Sequence, residues 1–130
     1  MTSQPDLRLY LSLDVENLED SVHFYTTLFG LPPTQLIPDY ATFDVDKPAL
    51  HLTLQPKTHC CLQGLNHMGL RLESLEEVEV LKSRLTTAGF KTGHYSNGQF
   101  ITNVSDEPES TFWVRDPSKY RWEVSCTDKI

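Results

Sequence analysis

The stretch LRLYLSLDVENLEDSVHFYTTLFGLPP, residues 7–33, carries two periodicities in succession, and the switch between them sets the fold. Leu7, Leu9, Leu11, Leu13 and Val15 alternate with Arg8, Tyr10, Ser12 and Asp14, the period of a half-buried strand. From Asn17 the period lengthens. Asn17 is a good helix cap, Glu19 and Asp20 put acid in the first turn, and Leu18, Val22, Tyr25 and Phe29 form an apolar stripe. Gly30 suits the left-handed end of a helix, and Pro32 and Pro33 prevent its continuation.

The same grammar returns in the second half. His67 to Leu72 alternates with Met68, Leu70 and Leu72 on one face. Ser74 opens a helix with Glu77 three residues on, a capping box, and Leu75, Val78, Leu81 and Leu85 form its stripe before Gly89. Tyr10 to Glu19 aligns on His67 to Glu76, so Val15, Glu16, Leu18 and Glu19 match Leu72, Glu73, Leu75 and Glu76. Thr42-Phe43-Asp44-Val45 resembles Thr111-Phe112-Trp113-Val114. Proline turns at Pro48 and Pro117 follow, then the strands Leu50–Leu54 and Trp122–Cys126. We expect an internal duplication within a single domain spanning 1–130. It has βαβββ modules at 7–55 and 66–127, joined by a link over 56–66. The fold class is α+β: an eight-stranded open cup of mixed sheet with the two helices outside. The least regular strands fall near 34–38 and 90–95, and 103–110 is a polar loop.

Composition excludes several function classes. The formal net charge is −7 with no basic stripe, which argues against nucleic acid as a partner. No run reaches the roughly 18 apolar residues of a membrane span, and MTSQPD has neither the basic nor the apolar region of a signal peptide. The three cysteines, Cys60, Cys61 and Cys126, have no framework spacing, which fits free thiols in a reducing cytoplasm. Cys60 and Cys61 are either an incidental pair in a linker or, beside His59, a soft-ligand pair for a heavy metal or arsenical.

Chemistry collects on the polar strand faces. The repeat pairs Tyr10 with His67 and His51 with Glu123, and alternation places all four on faces that the helices leave uncovered. Two imidazoles and a carboxylate, His51, His67 and Glu123, form a ligand set for a divalent ion with open positions. Tyr10 adds a phenolate or a hydrogen bond, so Tyr10 and Glu123 are the candidates for catalytic roles. Read singly, each histidine is also an ordinary surface or core residue, and Glu123 an ordinary strand residue. Arg71, Arg115 and Arg121 alternate onto the same faces as binders of an anionic substrate group or as solvated strand ends. Thr53 and Trp113 would shape the pocket for a small-molecule substrate.

These residues resemble the vicinal oxygen chelate superfamily, which holds glyoxalase I, bleomycin-resistance proteins, fosfomycin-resistance enzymes and extradiol dioxygenases. The resemblance covers nearly the whole chain. It is carried by Val15 to Gly30, with its Asn-Leu-Glu, Ser, Phe-Tyr and Phe-Gly pattern. Asp39-Tyr-Ala-Thr-Phe, Leu50-His-Leu-Thr-Leu, Asn66-His-Met-Gly, Phe112-Trp-Val-Arg-Asp-Pro and Trp122-Glu123 are more narrowly similar to cadmium-induced proteins and carbon–arsenic lyases. The resemblance implies a metal-dependent lyase or dioxygenase-like enzyme. A divalent ion, iron, manganese, nickel or zinc, would bind two oxygens of the substrate. His67 and Glu123 match ligand positions. Tyr10 stands where histidine is usual, and His51 occupies a position that supplies a ligand in glyoxalase I. The lyases' paired cysteines would fall near Asn103 to Ser105, where this chain has none, so carbon–arsenic cleavage is not implied. The resemblance also implies a homodimer. A non-catalytic protein that sequesters a drug, metal or metabolite is the alternative reading.

Overall fold

The computed structural model describes residues 7–57, 65–102 and 109–126. Two compact units divide the chain, Met1–Cys60 and Cys61–Ile130. The first contains β1 (Leu9–Val15), α1 (Leu18–Phe29), β2 (Gln35–Ile37), β3 (Tyr40–Val45) and β4 (Leu50–Pro56). Its sheet runs β1-β4-β3-β2, with β1 and β4 parallel and the other pairs antiparallel. The second contains β5 (Met68–Leu72), α2 (Leu75–Thr87), β6 (Thr92–Ser96), β7 (Gln99–Ile101), β8 (Thr111–Arg115) and β9 (Arg121–Cys126). Its sheet runs β5-β9-β8-β6-β7 and is parallel only between β5 and β9. Each unit is thus the expected strand–helix–strands module, with its helix packed on one face of its sheet.

The helix ends follow the sequence. Asn17 Oδ1 accepts from Asp20 N–H at 2.9 Å, and Gly30 takes φ 72° while its N–H donates to Thr26 O. Ser74 Oγ accepts from Glu77 N–H at 3.2 Å. The Glu77 carboxylate reaches back to Glu73 N–H, one residue before the cap. Among the described residues, no helix is long and apolar enough to cross a membrane.

Three details depart from the sequence expectation. The buried face of α1 is Ser21, Phe24, Tyr25 and Leu28, while Leu18, Val22 and Phe29 only flank it. The helix turns its largest apolar pair inward, and Tyr25 and Phe29 meet Phe43 of β3 at 6.4 and 6.1 Å between ring centroids. Small Ser21 fits where the helix lies close to the sheet. On β1, the edge strand of its sheet, Leu13 and Val15 are buried but Leu7 and Leu9 are exposed. Among the described residues the sheets hold nine strands rather than eight. Asn97 and Gly98, both at positive φ (52° and 78°), turn the chain back so that β7 pairs with β6. Asn-Gly supplies the two left-handed residues that a two-residue hairpin requires.

The core of the second unit is built the same way. Val78, Leu81 and Leu85 of α2 are buried, as are Phe112, Val114, Trp122, Val124 and Cys126 of β8 and β9. Alternation along β8 and β9 therefore turns Thr111, Trp113, Arg115, Arg121, Glu123 and Ser125 to the opposite face.

Candidate functional site

In the first unit, the parallel β1–β4 register sets Tyr10 opposite His51. Their rings stack at 4.6 Å between centroids, 27° apart. On the other side of β4, Asp44 of β3 stands opposite His51, and its Oδ1 lies 2.6 Å from Nδ1. A neutral imidazole in this pairing donates from Nδ1, which leaves the lone pair on Nε2. Tyr10 Oη lies 3.5 Å from Thr53 Oγ1. These side chains line an open depression of about 620 Å³ together with Thr42 and Tyr40.

In the second unit, His67 immediately precedes β5 and Glu123 lies on β9. His67 Nδ1 is 2.7 Å from Asn66 Oδ1, which again leaves Nε2 as the acceptor nitrogen. That Nε2 is 3.9 Å from Glu123 Oε1. Two donors with metal bonds of about 2.1 Å can stand at most about 4.2 Å apart, so the pair lies within reach of one ion. Trp113 stands opposite Glu123 and meets the His67 ring edge-on at 4.9 Å.

The two modules differ in register by one pleat. Tyr10 faces His51 directly, but the residue facing Glu123 on β5 is Gly69, two positions beyond His67. A two-residue shift keeps every side chain on its face, so His67 and Glu123 still share one. With no side chain at Gly69, the carboxylate is left uncovered on that side.

The other predicted positions divide by environment. Thr53 is buried beneath Tyr10. Arg121 donates from Nε and Nη2 to Asn66 O, at 3.1 and 2.9 Å, and lies over the Tyr95 ring. It therefore fastens the segment that carries His67. Arg115 lies over Phe100 at 4.8 Å, and Arg71 is exposed on β5. Sequence reasoning missed Asp44 and Asn66 as partners of the two imidazoles. Asp44 aligns with Trp113 in the repeat, which marks its face but not its bond to His51. His94 of β6 is bonded through Nε2 to Glu109. Among the described residues, no three His, Cys, Asp or Glu side chains cluster to hold an ion; the potential ligands stand in pairs. Cys126 is buried and in no disulfide among the described residues, while Cys60, Cys61 and the 103–105 positions lie outside them.

Comparison with known proteins bears on both units. Residues 9–124 match the model of the Glyoxalase/Bleomycin resistance protein/Dioxygenase superfamily. The chain is 34% identical over 118 residues to a trivalent organoarsenical cleaving enzyme of Bacillus sp. (strain MD1), covering 91% of this chain and 71% of that protein. It is also 34% identical over 119 residues to the cadmium-induced protein CadI of Mycobacterium bovis, covering 90% and 74%. Among solved structures, a possible glyoxalase from Bacillus cereus aligns with a TM-score of 0.67 at 24% identity, over 92% of this chain and 97% of that one. A fosfomycin resistance protein from Listeria monocytogenes aligns at 0.64 and 17% identity, over 100% and 95%. At these identities the structures speak for the fold.

Proposed function

Because the chain belongs to the glyoxalase/bleomycin resistance/dioxygenase superfamily, we propose that it is a divalent-metal enzyme acting on a small molecule through two substrate oxygens. The observation that carries this reading is the state of the two imidazoles. His51 and His67 both engage Nδ1 with an oxygen acceptor and keep Nε2 for another partner, the arrangement of metal-bound histidines. His67 and Glu123 are the first two ligands. His51 is the third, on the strength of its place in the repeat and of Asp44 behind it. Neutral imidazoles and a carboxylate suit iron, manganese, nickel or zinc.

The chemistry that such an ion supplies is polarisation of the substrate oxygens. The chain's own residues do the rest. Asp44 and Asn66 hold the rings in the ligating tautomer, and Arg121 fixes the backbone at Asn66. Trp113 walls the His67 side, and Tyr10 offers a phenol beside His51 for hydrogen bonding or proton transfer. Arg71 and Arg115 are the candidates for an anionic substrate group. We extend the proposal to a cytoplasmic homodimer. Edge strands of open sheets are commonly covered by a partner, and sedimentation at micromolar concentration should show two chains.

Open coordination positions separate this enzyme from a closed structural site. Water-proton relaxation of protein loaded with Mn²⁺ should be enhanced, and a bidentate oxygen donor such as a catechol should reduce the enhancement. No enhancement, or none that catechol displaces, would remove the substrate-chelation reading.

A further inference from the structure

The second unit carries a cationic recess that shares Arg115 with the proposal above but whose two lysines that proposal does not use. A cavity of about 220 Å³ is lined by Lys91, Phe100, Arg115, Asp116 and Lys119. Lys91 leads into β6, Arg115 ends β8, and Lys119 lies in the turn to β9. Among the described residues, none of the three cationic side chains is in an ion pair. Among the described residues, Asp116 is the one acid lining the recess, and one of its carboxylate oxygens is held by the backbone. It is buried, and Oδ1 accepts from Ser118 N–H at 2.8 Å and Tyr120 N–H at 2.9 Å. Together the three form a local concentration of positive charge in a chain of net charge −7.

Two features tie the cations to the recess. The Arg115 guanidinium lies 4.8 Å above the Phe100 ring, which holds it by cation–π attraction while its in-plane N–H groups can still donate outward. Lys119 takes φ 75°, the left-handed region that a residue with a side chain enters only under strain. The turn closes through Lys119 N–H to Asp116 O at 2.9 Å, so glycine would serve the backbone better. Strain retained at a charged side chain beside a cavity points to a use for that charge.

We infer that Lys91, Arg115 and Lys119 form a binding site for a doubly charged, phosphate-type oxyanion. The site depends on no metal. Arg115 provides the planar fork that matches such an oxyanion, and the two ammonium groups complete the charge.

The test uses the full-length protein, freed of metal with EDTA and dialysed, and titrated with inorganic phosphate at constant ionic strength. Binding is followed by calorimetry and by amide NMR shifts. Phosphate should bind in the millimolar range or tighter, and acetate at least fivefold more weakly, because the carboxylate brings half the charge. Lys119→Gly suits the backbone and should fold at least as stably as wild type. It should weaken phosphate binding about fivefold, the effect of losing one nearby charge under partial screening. Arg115→Gln combined with Lys91→Gln should abolish binding while the far-UV dichroism is kept. Equal phosphate affinity in wild type and Lys119→Gly, or equal affinity for acetate and phosphate, would overturn the assignment.

Discussion

Gly69 stands opposite Glu123 across the parallel β5–β9 pair, where the first unit sets Tyr10 opposite His51. The first module therefore fills the place beside its β4 histidine with a stacked ring, and the second leaves the corresponding place empty. Glu123 owes its accessibility to that glycine. Replacing Gly69 by tyrosine restores a ring beside the carboxylate on a strand that tolerates aromatics. Metal affinity measured by competition with a chelating dye should fall at least tenfold, while the fold by circular dichroism stays intact.

The two strand glycines of this unit differ in how much room they leave for a side chain. A Cβ at Gly69 would lie 3.3 Å from Glu123 O, so Gly69→Ala should change unfolding stability by less than about 1 kcal/mol. A Cβ at Gly93 would lie 2.1 Å from Ile101 O, an overlap that the β6–β7 hairpin cannot relieve without separating. Gly93→Ala should cost about 2–4 kcal/mol in urea unfolding, as other forced overpacking does.

Asp44 is a positioning residue for His51. Asp44→Ala removes the acceptor at Nδ1 and frees the ring to rotate, and losses of this kind cost roughly 10- to 100-fold in metal affinity. Asp44 is half exposed, so the lower end is expected. Asp44→Asn, which keeps an oxygen acceptor, should recover most of the affinity. Equal losses in the two variants would assign Asp44 a general electrostatic role instead.

Cys126 is 7% exposed and packs within the β5–β9 pair. Its thiol should resist a water-soluble disulfide reagent in the native protein and react on unfolding, when three thiols should titrate in protein prepared without reductant. The Cys126→Ser variant should lose the slow phase. A rapid reaction of Cys126 in native protein would contradict the packing.

What the sequence made legible was local. Caps at Asn17 and Ser74, the alternation of β1 and β5, and the proline turns all depend on residues within a few positions of one another. They placed both modules and both sets of polar faces. The missed features depend on pairing across strands. The one-pleat difference between Tyr10–His51 and Gly69–Glu123 leaves the alternation unchanged, so no pattern along the chain reports it. The bonds Asp44–His51 and His94–Glu109 join residues on different segments, and only the folded register brings them together. The Asn97–Gly98 hairpin was different, since its turn signal stood in the sequence and marks β7. On α1 the stripe read from Leu18 to Phe29 was turned by about one residue, because the position of the sheet decides which of two adjacent apolar rows is buried.

We propose that His67 and Glu123, with His51, hold one divalent ion. Equilibrium dialysis against iron, manganese, nickel and zinc at micromolar concentration, with metal counted per chain, tests it most directly. One ion per chain is expected for at least one of the four metals, with binding that weakens on acidification because protons compete for the imidazoles. None is expected for His67→Ala, and at least tenfold weaker binding for His51→Ala. Binding of none of the four metals by the wild-type protein, or undiminished binding by His67→Ala, would contradict the proposal.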